Sequence, residues 1–221
     1  MMQRIPEPEL MDAPAQARAY AEADFSESNQ AFVDAFNRLL HARVSSPARI
    51  IDLGCGPGDI CIRLAHALPE GRIIGVDAGP NMLALAETAV RAAGLGDRIE
   101  LILGRLPCAL PVTDRTALVS NSLLHHLPDP MSLWRTIAEA APVGCAIQIM
   151  DLHRPESKDR ARALVDTYAA DAPEVLAQDF YNSLLAAYTS EELADQLARC
   201  GLDRLEISRP SDRHWMVQGV I

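Results

Sequence analysis

The sequence predicts an α/β fold, a three-layer sheet of about seven strands, mostly parallel, with a C-terminal antiparallel hairpin. Three observations carry this expectation. A β-branched run at 49–53 passes through a glycine turn into an amphipathic helix. Short apolar runs then alternate with helical periods as far as Met150, the pattern of parallel strands joined by right-handed helical crossovers. Two neighbouring apolar runs, 202–208 and 214–221, follow with no helix between them.

In chain order, residues 1–14 are rich in Pro, Glu and Met and show no period. Residues 15–40 have helical spacing, marked by Tyr20, Phe25, Phe32, Val33, Phe36 and Leu40. Ser26-Glu-Ser-Asn29 divides them into two helices, with Ser28 or Ser26 as the cap. After the first strand and its helix at 59–68, strand two spans 72–76 and closes on Asp77. Gly79 as cap and Pro80 at the first position open a helix to 93, stopped by Gly94 and Gly96. Strands three and four fall at 98–103 and 117–120, and Asp129-Pro130 opens a helix to 140. Pro142 and Gly144 turn the chain into strand five at 145–150. Residues 154–188 are helical in pattern, an insertion after strand five. Thr189-Ser-Glu-Glu192 is a capping box for a helix that Gly201 ends. The expected organisation is one domain over 1–221: an N-terminal helical cap (1–45), a core (46–153), the insertion as a lid (154–188), and a C-terminal helix with hairpin (189–221).

Composition narrows the function classes. With 49% hydrophobic and 23% charged residues the chain is ordinary globular material. A formal charge of −10 without any basic run argues against a nucleic-acid partner, because phosphate binding needs clustered Lys and Arg. No apolar stretch of about 18 residues and no basic-then-apolar leader is seen, so a cytoplasmic protein without a membrane partner is expected. The five cysteines, at 55, 61, 108, 145 and 200, form no C-x-x-C pair, so neither a zinc site nor a disulfide framework is indicated. Four read as reduced core residues, whereas Cys55 inside the glycine turn reads as packing or as a reactive thiol.

The glycine turn is where a ligand is expected. A strand running through glycines into a helix aims backbone N–H groups and the positive end of a dipole at one small volume. The spacing decides which ligand. A dinucleotide fingerprint, G-x-G-x-x-G, needs glycine at 59, where Asp59 stands; the pattern here is G-x-G-x-G, with Asp52 two residues before Gly54. Asp77 closes the next strand about 20 residues on, where a carboxylate takes both hydroxyls of a ribose.

At this point the chain resembles the class I S-adenosylmethionine-dependent methyltransferases, whose sheet is Rossmann-like. The resemblance rests on Ile51-Asp-Leu-Gly-Cys-Gly-Pro-Gly58, Gly75-Val-Asp-Ala-Gly-Pro-Asn-Met-Leu83 and Ser120-Asn-Ser-Leu-Leu-His-His-Leu-Pro-Asp-Pro130, within residues 48–151. It implies S-adenosyl-L-methionine as cofactor, S-adenosyl-L-homocysteine as product, and transfer of a methyl group to a small-molecule acceptor. The cofactor set it implies is Gly54, Cys55, Gly56 and Gly58 in the turn, Asp52 for the ammonium, and Asp77 with Ala78 at the ribose. Met82 packs on the ribose or adenine, or in the core, and Asn121 faces the methionyl end. Gly104, Arg105 and Leu106 meet adenine. Similar enzymes carry Asp where Arg105 stands, so adenine is read by the Leu106 backbone or by stacking on Arg105. Tyr20 either packs or closes over the methionine end.

Five residues are candidates for catalysis. One imidazole of His125-His126 orients or deprotonates the acceptor, or both are structural; Asp151 and His153 are alternative bases at the same sheet edge. Tyr181, in Asp179-Phe-Tyr-Asn-Ser183, belongs to a lid over a polar acceptor or to an ordinary packed helix. Adjacent histidines on a turn are expected to face apart, so no metal is expected. Methyl transfer from a sulfonium is an in-line displacement in which alignment supplies roughly 7–11 kcal/mol, more than a general base at about 10²–10⁴-fold. No Asn-Pro-Pro-Tyr or Asp-Pro-Pro-Tyr run follows strand four, so a DNA amine is a poor acceptor candidate. A non-catalytic binder of the same cofactor, a protein side chain as acceptor, and a nicotinamide-dependent oxidoreductase are the rivals; Asp59 speaks against the last. The oligomeric state stays open, a homodimer being one option.

Overall fold

Runs of apolar residues buried on both faces make the central strands: β1 (Arg49–Leu53), β2 (Arg72–Asp77), β4 (Ala117–Asn121) and β5 (Ala146–Leu152). Toward the edges lie β3 (Ile99–Leu103), short β6 (Glu206–Ser208) and β7 (His214–Val220). The computed structural model describes residues 2–8, 10, 12–43, 48–110 and 115–221; the boundary expected at 45/46 lies outside the described residues. The seven strands form one sheet in the order β3-β2-β1-β4-β5-β7-β6. All pairs are parallel except those of β7, which runs antiparallel to both β5 and β6. The order reverses between β1 and β4, so the carboxyl ends of these two strands flank the crevice in which open α/β sheets bind ligands.

Helices cover both faces because alternate side chains of each strand point oppositely. Ile50 and Ile73 join one core with α2 (Ser26–Arg43), α3 (Asp59–Ala67) and α4 (Pro80–Ala92), through Phe32, Phe36, Leu64 and Leu83. Ile51, Leu53 and Val76 join the other with α5 (Met131–Ala140) and α8 (Ser190–Arg199), through Trp134, Ile137, Leu193 and Leu197. Two further helices, α6 (Lys158–Tyr168) and α7 (Glu174–Ala186), close a smaller cluster of Leu152, Ala161, Leu164 and Leu184.

Two local expectations are corrected. The second N-terminal helix begins at Ser26 itself, and the Asp24 carboxylate accepts the Ser26 N–H at 2.9 Å; Ser28 donates its hydroxyl to the Phe25 carbonyl instead of capping. An aspartate two residues upstream reaches the free N–H better than a serine already inside the first turn. The strand expected at 202–208 shrinks to three residues, because Leu202 N–H still bonds the Leu197 carbonyl and Gly201, at φ 67°, closes a helix-terminating turn. The capping box at Thr189 and Glu192 forms as expected.

The aperiodic N-terminal stretch proves to be a strap. Ile5 N–H bonds the Leu185 carbonyl, Arg4 donates to the carbonyls of Ala186 and His125, and its guanidinium sits 4.3 Å from the Tyr188 ring centroid. Beyond it, Asp12 Oδ1 accepts the N–H groups of Asn81 and Met82 at 2.9 and 3.3 Å, capping α4 from a distance in sequence. The strap then leads into α1 (Pro14–Glu22). Asp12→Ala leaves two first-turn donors without an acceptor and is expected to cost about 1 kcal/mol, lowering the unfolding midpoint by roughly 2–4 °C; differential scanning calorimetry checks this.

Candidate active site

Three glycines between β1 and α3 are needed for three different reasons. All have positive φ: 74° at Gly54, 52° at Gly56 and 88° at Gly58. A Cβ on Gly54 would fall 2.7 Å from a Leu123 methyl, and one on Gly58 would press on Ala86 at 3.2 Å. Gly56 is the exception, since a Cβ there meets nothing within 4 Å. Backbone is thus exposed at Gly56 to open space, whereas Gly58, expected in the ligand set, only starts α3 and lets α4 approach; it does not line the cavity.

That cavity lies over the carboxyl ends of the strands. The expected residues Tyr20, Asp52, Gly54, Cys55, Gly56, Asp77, Ala78, Met82, Gly104, Arg105, Leu106 and Asn121 all line it. Asp77 ties the turns after β1 and β2 together, Oδ2 accepting from Gly56 N–H and Oδ1 from Gly79 N–H, each at 2.8 Å. Burial raises its pKa, against the pull of these N–H donors. Each oxygen keeps a lone pair for a ligand hydroxyl. Asp52 is 1% exposed, faces Cys61 Sγ at 3.3 Å, and burial pushes its pKa up to about 7. Asn121 donates to Asn29 Oδ1 at 3.2 Å, while its own Oδ1 is buried without a partner, on a residue that lines the cavity.

A second cavity of about 550 Å³ adjoins the first and shares with it Tyr20, Phe25, Asn29, Asn121, Ser122 and His126. Its far wall comes from α6, α7 and the segment before β7, with Tyr168, Asp179, Ser183 and Arg213.

The catalytic candidates are arranged differently from the expectation. Asp151 is 1% exposed and turned inward: Oδ1 meets His125 Nδ1 at 2.5 Å and Oδ2 accepts the His125 N–H at 3.0 Å. It holds His125 and does not face either cavity as a base. Burial alone would lower the pKa of His125, but Asp151 and Glu7 outweigh it and raise it; His125 in turn keeps the buried Asp151 below its ordinary value. Burial, aided by His125, pushes His126 down to about 3. The two neighbouring imidazoles are thus pushed in opposite directions. Burial lowers His153 too, and it lines neither cavity. Tyr181 also lines neither; it packs on the Leu152–Leu184 cluster with Arg162 over its ring, because a buried hydrophobic face outweighs its hydroxyl. The two histidines do not face apart. On the tight turn Leu124–His126 their rings stack at 4.1 Å, and His125 Nε2 and His126 Nδ1 both approach Glu7 Oε1.

Glu7, Asp12 and Asn29 were not anticipated. Glu7 and Asp12 lie in a stretch without any period. Asn29 had a signal, since it shares the apolar face of α2 with Phe32, Val33 and Phe36, where a polar residue needs a reason.

Comparison with known proteins agrees with this geometry. Residues 50–144 match the family described as a methyltransferase domain. Over that stretch the chain is similar to methyltransferase domains, and its sheet order agrees with the resemblance to the class I S-adenosylmethionine-dependent methyltransferases. Among curated relatives, trans-aconitate 2-methyltransferase of Methylobacterium nodulans is 36% identical over 115 residues, 51% of this chain and 42% of that protein. The Mycobacterium sp. (strain KMS) protein of the same name is 32% identical over 133 residues, 59% of this chain and 49% of the relative. The matched stretch spans about half the length of these relatives or less. In fold the chain is similar to an Aquifex aeolicus SAM-dependent methyltransferase, with TM-score 0.66 and 16% identity over 93% of this chain and 97% of that one. The plantazolicin methyltransferase BpumL, crystallised with S-adenosylhomocysteine, gives TM-score 0.68 and 14% identity over 93% and 92%. Among the described residues no helix is long and apolar enough to cross a membrane.

Proposed function

We propose that this protein transfers a methyl group from S-adenosylmethionine to a polar small molecule held in the second cavity. The observation that carries this reading is the exposed backbone at Gly56 beside Asp77, in a cavity that continues into a second one. The residues suit the cofactor's groups. Asp77 takes the ribose hydroxyls, Met82 offers an apolar wall, and Asp52 with the unpartnered Asn121 Oδ1 takes the ammonium. The bound sulfonium supplies an excellent leaving group for in-line displacement.

No strong base faces the acceptor cavity. His125 turns its Nδ1 onto the buried Asp151, and His126 holds a proton too weakly to accept one at neutral pH. Positioning therefore dominates the rate. The adjoining cavity favours catalysis over a purely binding role, which has no use for space beside the methyl group.

The charge of that cavity also narrows the acceptor. Glu22, Asp24, Glu27, Asp171 and Asp179 line it. Among its described lining residues Arg213 is the sole Lys or Arg, and its guanidinium lies 3.4 Å from the Tyr168 ring centroid and 3.6 Å from Asp212. Three carboxylates would meet repulsion here, so a neutral or cationic acceptor fits better than the tricarboxylate named for the relatives. The test is release of S-adenosylhomocysteine with trans-aconitate and with neutral hydroxyl and amine acceptors. Turnover is expected only with the latter; efficient turnover of trans-aconitate overturns the acceptor class, and absence of cofactor binding overturns the whole reading.

A further inference from the structure

We propose that Glu7, His125 and His126 form a divalent-cation site of the zinc type, with its open position toward the acceptor cavity. The three ligand atoms lie within 4.8 Å of one another. Glu7 Oε1 is 3.4 Å from His125 Nε2 and 3.2 Å from His126 Nδ1. Two ligands bound to one zinc ion at about 2.0–2.2 Å in tetrahedral geometry stand about 3.3–3.6 Å apart. A direct N–H···O bond would close to about 2.9 Å. The His125 contact falls within that range and the His126 contact just below it, both longer than the usual hydrogen bond.

Each member is held as a metal ligand is held. Asp151 occupies Nδ1 of His125, which leaves Nε2 as the free nitrogen, and a carboxylate behind an imidazole is the usual outer support of a bound metal. Ser183 donates to Glu7 Oε1 at 3.0 Å, and Arg4 pins the turn by donating to the His125 carbonyl at 2.9 Å. His126 Nδ1 is buried with no hydrogen-bond partner. Its 3.2 Å approach to Glu7 lacks hydrogen-bond alignment, so the contact leaves that nitrogen available. Two imidazoles and one carboxylate suit Zn²⁺ or Co²⁺ and disfavour Mg²⁺ and Ca²⁺, which prefer all-oxygen sets.

His125, His126 and Ser183 line the second cavity, so a cation here would leave a coordination position for one oxygen donor of the acceptor. That cation would lower the pKa of a bound hydroxyl, the activation that the side chains themselves do not provide. This role in activation rests on the methyl-transfer reading; the binding of the cation does not.

The experiment uses the full chain, stripped with a chelator and titrated with Zn²⁺ by calorimetry and with Co²⁺ by visible absorption. One equivalent of each should bind, and the Co²⁺ spectrum should show d–d bands without a thiolate charge-transfer band, because no cysteine belongs to the set. Glu7→Gln and His126→Ala should each weaken Zn²⁺ binding at least about tenfold. Glu7 lies outside the cofactor cavity, so Glu7→Gln should bind S-adenosylhomocysteine as the parent does, which also reports folding. If His126→Ala does not fold, Glu7→Gln decides. The proposal is overturned if the folded chain binds no stoichiometric Zn²⁺, if thiolate bands dominate, or if Glu7→Gln binds Zn²⁺ like the parent; a strut of hydrogen bonds is then the cluster's whole role. Zn²⁺ binding without S-adenosylhomocysteine binding would instead refute the cofactor reading and leave the cation site standing.

Discussion

Asp77→Ala is expected to weaken S-adenosylhomocysteine binding by about 10²–10⁴-fold. The substitution leaves two ribose hydroxyls without an acceptor in a closed pocket, at about 1–3 kcal/mol for each unpaired group. It also strips the acceptor from Gly56 N–H and Gly79 N–H, which the carboxylate now holds at 2.8 Å in the turns after β1 and β2. The same side chain that would grip the ribose therefore also shapes the turn whose backbone faces the cofactor, and both losses act together. Asp77→Asn separates them in part, because an amide keeps the shape but presents an NH₂ to one of those N–H donors. Isothermal calorimetry measures the affinity, and far-UV circular dichroism confirms that the variant folds. Affinity within threefold of the parent would remove Asp77 from the site.

A pH dependence follows from Asp52. Burial moves its pKa from 3.8 to about 7, so near neutrality the folded, ligand-free protein holds it about half protonated. A cofactor ammonium favours the ionised form. Affinity should therefore rise with pH, about tenfold from pH 6 to pH 8, as the ionised fraction grows through a pKa of about 7. Stability runs the other way. The folded chain binds this proton more tightly than the unfolded chain, so its contribution is complete below about pH 3.8 and is lost as pH rises through about 7. Asp52→Asn should flatten the affinity profile, and above pH 7 should stabilise the ligand-free protein by up to about 4 kcal/mol, the equivalent of a shift of about three units. Calorimetric titrations and urea unfolding at pH 6, 7 and 8 measure both. A parent profile that is flat over this range would show that Asp52 is not the group that answers to the ammonium.

Both effects depend on residues that could be found without coordinates, and the reason is local. The passage from Arg49 through Gly54, Gly56 and Gly58 into the α3 helix needs only neighbouring residues to be recognised, and Asp77 stands one strand and one crossover away. Capping residues Thr189 and Glu192, and Pro80 behind Gly79, are likewise decided within a turn of helix. Where a short-range alternative existed, as for Asp24 against Ser26 and Ser28, the geometry of the free N–H decided, and the residue pattern did not distinguish them.

The sequence by itself determined the alternation of strands and helices, the glycine turn, and the acid at the end of the second strand. Periodicity and turn chemistry act over a few residues, so they can be read along the chain. Only the tertiary structure decided that Gly56 faces open space while Gly58 packs on Ala86, and that Asp151 turns inward to His125. It also brought Glu7 to His125 and His126, across 118 and 119 positions, and Asp12 to Asn81 at the start of α4, across 69. Such contacts depend on how the strap and the sheet meet in space, and no local period of residues 2–12 records that meeting.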